Sequence, residues 1–405
     1  MRIAVVTQSR DRTGGVETYL HAVLPALAAR HEVAFWSATD SISNRGAIVL
    51  PSGVPGERLA PAADDAARQL REWRPEVVYA HGLDDPAIES AVLAVAPAVH
   101  VQHTYHGTCI SGTKTMSWPG VSQCGRSFGP GCLAQYFPRR CGGSSPITMT
   151  TLYRTQASRL ETLRRVAVVM ALSHHMAGEL RCNGVPADRV YVVPPFVTAS
   201  SVVRTPRTAG GDVRLLFLGR LEPLKGARQL LDALTPLADR LSRPVSLVIA
   251  GDGTERHALE THASSRFTVE GRVRVRFTGW QGEGARGRLL TDADALVVPS
   301  LWPEPFGLVG LEACAAGLPV VAFAAGGIPE WLKEGENGCL APAEGARPEL
   351  LADAIARCVA SPQVLAALSA GARAAAAQWT IERHMTRLEQ VLSLAVKPAV
   401  VSQAS

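Results

Sequence analysis

The chain has 405 residues, 47% of them hydrophobic and 19% charged. That composition excludes a disordered or fibrous protein, and the length suits two domains better than one core. Its 41 basic and 36 acidic residues leave a formal charge of +5, which fits an anionic small molecule or a membrane surface and is too small an excess to argue for nucleic acid.

Met1 leads straight into "RIAVVTQ", without the basic segment and long apolar core of a secretory leader. No stretch reaches about 18 uninterrupted apolar residues, so no transmembrane helix is expected. A cytoplasmic enzyme with reduced thiols is the expectation.

Short β-branched runs alternate with amphipathic segments along the first half. The strand candidates are residues 2–8, 32–37, 76–82, 98–104, 166–173 and 189–195. They read as continuous apolar runs, as parallel strands covered on both faces do. Between the first two, Val16, Leu20, Val23, Leu24 and Leu27 recur at helical spacing. This βαβ rhythm predicts a doubly wound α/β sheet. After the first strand, the Gly14–Gly15 turn runs into that helix, where Gly15 lets backbone amides approach a phosphate or a sugar; a plain tight turn is the alternative.

The segment 107–145 is loop-like and rich in Gly, Pro and Ser. Cys109, Cys124, Cys132 and Cys141 fall within 33 residues of it, half of the eight cysteines in the chain. A long loop without its own core needs something to hold it. Four thiolates on a structural zinc ion would do this, and an iron–sulfur cluster is another option. The intervening lengths of fourteen, seven and eight residues lack tight C-x₂-C pairs, so reduced thiols and disulfides stay open. Cys182, Cys314, Cys339 and Cys358 read as small buried residues.

Residues 196–212, rich in Thr, Ser, Pro and Gly, read as a linker between an N-terminal domain (1–195) and a C-terminal one (213–380). A second strand series follows at 213–219, 245–251, 273–279, 294–300 and 318–323. Two Rossmann-like domains facing a cleft are therefore expected, with ligands outside the carboxyl ends of the strands. Helix 381–395 and a tail to residue 405 close the chain.

In "FLGRLEPLKGARQLLDAL", Arg220 and Lys225 follow a strand and precede a helix, a placement suited to a diphosphate; a solvated basic loop is the plainer reading. "GDG" puts Gly251 at the next strand end. "FTGW" puts Gly279 and Trp280 at the one after, where an indole could meet a nucleobase.

The stretch "VVPSLWPEPFGLVGLEACAAGLPVVAF" (297–323) runs from a strand end into a helix expected to begin near Phe306 or Gly307, with Pro305 in its first turn. Amides near Gly307 and Leu308, with the helix dipole, make an anion site. Glu304 stands just outside that end, in reach of hydroxyls on a group joined to the anion. Glu312 lies further along, where its carboxylate could accept from a ribose diol. The plainer reading has Glu304 complementing the dipole and Glu312 at the surface.

The two glutamates separated by seven residues, then "EACAAGLPVVAFAAGGIPE", resemble the retaining glycosyltransferases of family 4 (group 1), which have the GT-B fold. The resemblance runs from "GGVE" (14–17) to the last helix. It implies that Glu304 contacts the transferred sugar, that Glu312 holds the nucleotide ribose, and that Arg220 and Lys225 hold the diphosphate. It also implies that His106, in "HTYHG", lies by the donor sugar, with His103 as the competing histidine, and that the closing helix returns to the first domain. Some members similarly carry cysteines just after this histidine. "PPFV" at 194–197 departs from the polar "NGVD" turn of many relatives.

The resemblance thus implies transfer from an α-linked nucleoside-diphosphate sugar with retention and without a catalytic cofactor or metal. Acceptors compatible with it are a sugar, a lipid carrier, an aminocyclitol or a natural product. Arg139, Arg140, Arg164 and Arg165 are candidates for peripheral contact with anionic lipid; solvated surface charge is the plainer reading. A nucleotide-sugar epimerase, a glycan phosphorylase and a non-catalytic nucleotide or metal sensor are the alternatives.

Overall fold

The computed structural model describes residues 1–11, 14–39, 46–197, 204, 211–268 and 270–396. Most of the expected linker (198–203 and 205–210) and the tail 397–405 lie outside the described residues. The chain divides into two compact units, the first built from Met1–Thr113, Arg126–Pro195 and the helix Ile381–Val396, the second from Lys114–Gly125 and Phe196–Thr380. The loop expected to lie wholly in the N-terminal domain is therefore shared out between the two.

In chain order the strands are β1 (Arg2–Ser9), β2 (Glu32–Thr39), β3 (Gly56–Arg58), β4 (Val77–Ala80), β5 (Ala98–Gln102), β6 (Thr115–Met116), β7 (Ser122–Gln123), β8 (Val168–Ala171) and β9 (Val190–Val192). They continue as β10 (Val213–Leu218), β11 (Val245–Ala250), β12 (Val273–Gly279), β13 (Ala295–Val298), β14 (Val320–Phe323) and β15 (Gly338–Ala341). The first unit holds a seven-stranded parallel sheet of order β3-β2-β1-β4-β5-β8-β9, and the second a six-stranded parallel sheet of order β12-β11-β10-β13-β14-β15. β6 and β7 pair antiparallel as a small hairpin of the second unit.

The continuous apolar strands of the sequence form the interiors of these sheets: β4, β5, β8, β13 and β14 are buried at every residue. Two strands escape the pattern. β3 is "GER", exposed throughout at an edge, and β15 is "GCLA", short and opened by a glycine. In each sheet the strand order reverses once, between β1 and β4 and between β10 and β13. Loops diverge at such a reversal and leave a crevice at the carboxyl ends.

The helix Ile381–Val396 packs on β4, β5 and β8 of the first unit. His384 on it accepts from or donates to the Tyr19 hydroxyl through Nε2 at 2.7 Å, and its Nδ1 lies 2.8 Å from the Pro194 carbonyl oxygen. Among the described residues no single helix is long and apolar enough to cross a membrane.

In the second unit Arg204 is almost fully buried, and its guanidinium donates to Ala293 O at 2.6 Å, Asp294 Oδ1 at 3.0 Å and Ser369 Oγ at 3.2 Å. Asp294 in turn accepts from the Arg214 amide at 3.0 Å. Removing the cation deprives the buried Asp294 carboxylate of the Arg204 charge. Arg204→Ala is expected to destabilise the second unit by about 3–5 kcal/mol, read as a lower urea midpoint; an unchanged midpoint contradicts this account of the anchor.

Candidate functional site

The reversal point of the second sheet gathers the residues that the sequence singles out. Arg220 and Lys225 follow β10, Gly251 follows β11, Gly279 ends β12, and Glu304 follows β13. Backbone hydrogen bonds tie these ends together: Gly219 N donates to Ala250 O at 3.1 Å, and Gly251 N to Gly279 O at 2.9 Å. Trp280, just beyond, is partly exposed at 46%.

Lys225 and Glu304 meet directly. Lys225 Nζ donates to Glu304 Oε1 at 2.7 Å, Ser300 Oγ donates to the same oxygen at 2.6 Å, and Lys225 Nζ lies 5.0 Å from the centre of the Trp302 ring. Glu304 is only 6% exposed. Burial alone would raise its pKa, but the Lys225 charge and the hydrogen bonds from Lys225, Ser300 and Trp302 outweigh it and hold the carboxyl below its ordinary value. The sequence reading gave the two residues separate ligands and missed both their contact and Ser300. Arg220 is exposed and has no ion-pair partner among the described residues.

The backbone is shaped around this pair. A Cβ on Gly226 would lie 1.8 Å from Pro299 O, and one on Gly326 would lie 2.3 Å from Glu304 O. Both glycines have positive φ, so side chains there are excluded twice over. Gly327 N also donates to Glu304 O at 2.7 Å, so the "AAGG" turn fixes the main chain that carries Glu304.

The helix expected to start near Phe306 or Gly307 runs Leu308–Ala315, with Gly307 as its N-cap at φ +85°. Pro305 thus lies ahead of the helix rather than in its first turn. Phe306 packs edge-on to Trp379, and its carbonyl accepts from Trp331 Nε1 at 2.6 Å. The helix therefore begins on a fixed support with its first amides, Leu308 among them, outside the intrahelical ladder. Glu312 is half-buried and forms an ion pair with Arg286, from the helix Glu283–Asp292. No sequence signal links Arg286 to Glu312, because the two lie on different elements.

In the first unit, Gly14 caps the helix Gly15–Ala28, and no side chain caps that end. His106 follows β5, half-buried. Its ring rests against Gly112, where a Cβ would come within 2.3 Å of His106 Cδ2. Two glutamines that the sequence reading missed hold its loop: Gln102 Nε2 donates to His106 O at 2.7 Å, and Gln156 Oε1 accepts from Gly107 N at 2.6 Å. Burial, then the Arg159 charge, lowers the His106 pKa, so the imidazole is neutral near pH 7. Arg159 is itself paired with buried Glu89 at 2.7 Å. The competing His103 is pushed down to about 3 by burial, and its Nε2 lies 2.9 Å from His81 Nδ1 within an internal network.

The four clustered cysteines are not gathered into a metal site. Among the described residues no group of three or more His, Cys, Asp or Glu is placed to hold a metal ion. Cys109 Sγ lies 3.4 Å from Ser111 Oγ, Cys132 Sγ 4.0 Å from Ser127 O and Cys141 Sγ 3.9 Å from Gln135 O. Cys124 belongs to the second unit and the other three to the first. Other contacts hold the described parts of this segment. Phe128 packs on Tyr153 with ring centres 5.0 Å apart, Phe128 N donates to Asn183 Oδ1 at 2.7 Å, Tyr136 is fully buried, and Cys124 N donates to Lys114 O at 2.8 Å.

Two Rossmann-like units with these strand-end sites define the GT-B fold. The same fold occurs in the crystal structure of Anabaena HepE in complex with UDP and glucose (TM-score 0.70, 20% identity, 97% of this chain and 99% of that one). It also occurs in WaaG, a glycosyltransferase involved in lipopolysaccharide biosynthesis (TM-score 0.67, 17% identity, 96% and 98%). Residues 13–201 match the family described as Glycosyltransferase Family 4, and residues 204–375 match Glycosyl transferases group 1. The chain belongs to this family of glycosyltransferases.

Among curated relatives, a glycogen synthase of Mycobacterium tuberculosis is 31% identical over 274 residues, 66% of this chain and 56% of the relative. A D-inositol 3-phosphate glycosyltransferase of Actinosynnema mirum is 36% identical over 199 residues, 45% and 46% respectively. The chain spans about half the length of the curated relatives it matches.

The depressed Glu304 pKa has a consequence for stability. A carboxyl with a lower pKa folded than unfolded stabilises the fold fully above the unfolded value, and that contribution is lost as pH falls through the folded one. Glu304→Gln removes this contribution, so the variant should lose less stability than the parent on acidification below about pH 4, measured by denaturant midpoints across pH. Parallel curves would contradict the assigned pairing.

Proposed function

We propose that the chain transfers a sugar, with retention of configuration, from an α-linked nucleoside-diphosphate sugar to an acceptor hydroxyl. The observation that carries this reading is the Lys225–Glu304 pair at the reversal point of the second sheet, with exposed Arg220 in the same segment after β10 as Lys225 and a helix start at Leu308. Cleaving the glycosyl–phosphate bond builds negative charge on the diphosphate and positive character on the sugar carbon. Lys225, Arg220 and the amides at Gly307 and Leu308 stabilise the departing diphosphate, the helix end alone contributing about 1 kcal/mol.

Glu304, held ionised, accepts hydroxyls of the transferred sugar while keeping Lys225 oriented. Glu312 takes the ribose diol and shares Arg286 when it does so. The departing phosphate oxygen takes the proton of the acceptor hydroxyl on the same face, so that no protein base is needed at that step. Since the countercharge comes from the chain's own cations, the reading places no metal in the transfer step. His106 has a neutral imidazole suited to a donor-sugar contact. The acceptor class stays within the set that the sequence allows.

Turnover of a nucleoside-diphosphate sugar tests this. Lys225→Met is expected to lower it by about a hundredfold or more, Glu304→Gln to lower it with little change in nucleotide affinity, and EDTA to leave it unchanged. His106→Ala is expected to reduce turnover without weakening nucleoside diphosphate binding. A Glu304→Gln protein with full turnover, or a parent silenced by EDTA, would overturn the reading.

A further inference from the structure

The second sheet carries a feature that sugar transfer does not use. The register aligns Arg214, Ser246 and Arg274 across β10, β11 and β12, and likewise Leu216, Val248 and Arg276 two residues on. All six lie on one face, because alternate residues of a strand share a face. A parallel sheet of this kind normally has apolar residues on both faces. Here "VRLL" and "VRVRF" place arginines among the apolar positions of one of them.

This region borders an open cavity of about 730 Å³, within the roughly 300–1,000 Å³ of small-molecule sites. Its apolar walls include Leu216, Val248, Phe267 and Leu289. It reaches from the amino-terminal ends of the strands, at Arg214 and Ser246, whereas Arg220 and Glu304 follow the carboxyl ends of β10 and β13. It is therefore separate from the candidate donor site.

The charges around it do not cancel. Arg274 pairs with Asp212, and Glu260 pairs with Arg256 at 2.9 Å. That leaves Arg214 and Arg276, both exposed and without ion-pair partners among the described residues, against Asp292. The balance is one positive charge beside an apolar volume.

We propose that this cavity binds a single-chain anionic amphiphile, with its hydrocarbon tail against Leu216, Val248 and Leu289 and its anionic head between Arg214 and Arg276. The tail removes the apolar wall from water, and the head supplies the missing countercharge. A free fatty acid and the acyl lipid of a membrane share this chemistry, and the test separates them.

The whole chain is titrated calorimetrically with monomeric oleate, with oleyl alcohol, and with phosphatidylglycerol vesicles. Saturable binding of one oleate per chain is expected, with oleyl alcohol weaker by about tenfold or more. Arg276→Glu, an exposed change that leaves the fold intact, should weaken oleate about tenfold, and Val248→Phe should weaken it by occupying the cavity. Turnover of the nucleotide sugar by Arg276→Glu should match the parent, which separates this site from the donor site. The proposal falls if oleate does not bind, if both variants bind it as the parent does, or if the chain binds vesicles but not monomeric oleate.

Discussion

Burying a carboxylate costs several kcal/mol unless a cation and hydrogen-bond donors meet it, and Glu304 is met by Lys225 and Ser300 on a single oxygen. Lys225 comes from the loop after β10 and Glu304 from the loop after β13, the two strands between which the sheet order reverses. The pair therefore spans the crevice that the topology opens, and the surrounding backbone is built to hold it. Neither Gly226 nor Gly326 can carry a side chain, because Pro299 O and Glu304 O occupy the space. Charge, topology and backbone all bear on one point. The proposed nucleoside-diphosphate sugar would bring to that point an anion for the cations and hydroxyls for the carboxylate.

The two units prepare their strand ends differently. The second unit offers cations and a helix start. The first offers a half-buried neutral histidine on a loop clamped by Gln102 and Gln156, with Tyr19, Tyr79, His81 and His384 buried in the same unit. Surroundings separate His106 from His103 where sequence context could not: the His103 ring meets His81, whereas the His106 ring rests against Gly112. Likewise Glu312 is a carboxylate already oriented by a cation, Arg286.

Much of the fold was legible because parallel strands buried on both faces leave continuous apolar runs, and all eleven predicted strands coincide with observed ones, over segments such as "RIAVVTQ" and "VSLVIAG". What escaped was short or polar: β3, β15 and the β6–β7 hairpin carry no hydrophobic period. The positions of candidate residues were legible where a motif places them after a strand, as with Arg220, Lys225 and Glu304. A contact was illegible where the partner comes from elsewhere in the chain, as with Ser300 on Glu304, Arg286 on Glu312 and Gln156 on the His106 loop. The cysteine segment was less legible. Cysteine density suggested a staple, yet aromatic packing and backbone hydrogen bonds hold the described parts of that loop.

The most direct test of the account is calorimetric titration of the intact chain with UDP, GDP and ADP, each against the parent and Arg220→Ala. The account predicts that at least one of them binds saturably and that the substitution weakens it by about tenfold. Absence of binding by all three, or equal affinity in the two proteins, would contradict the assignment of the second unit's strand ends to a nucleoside diphosphate.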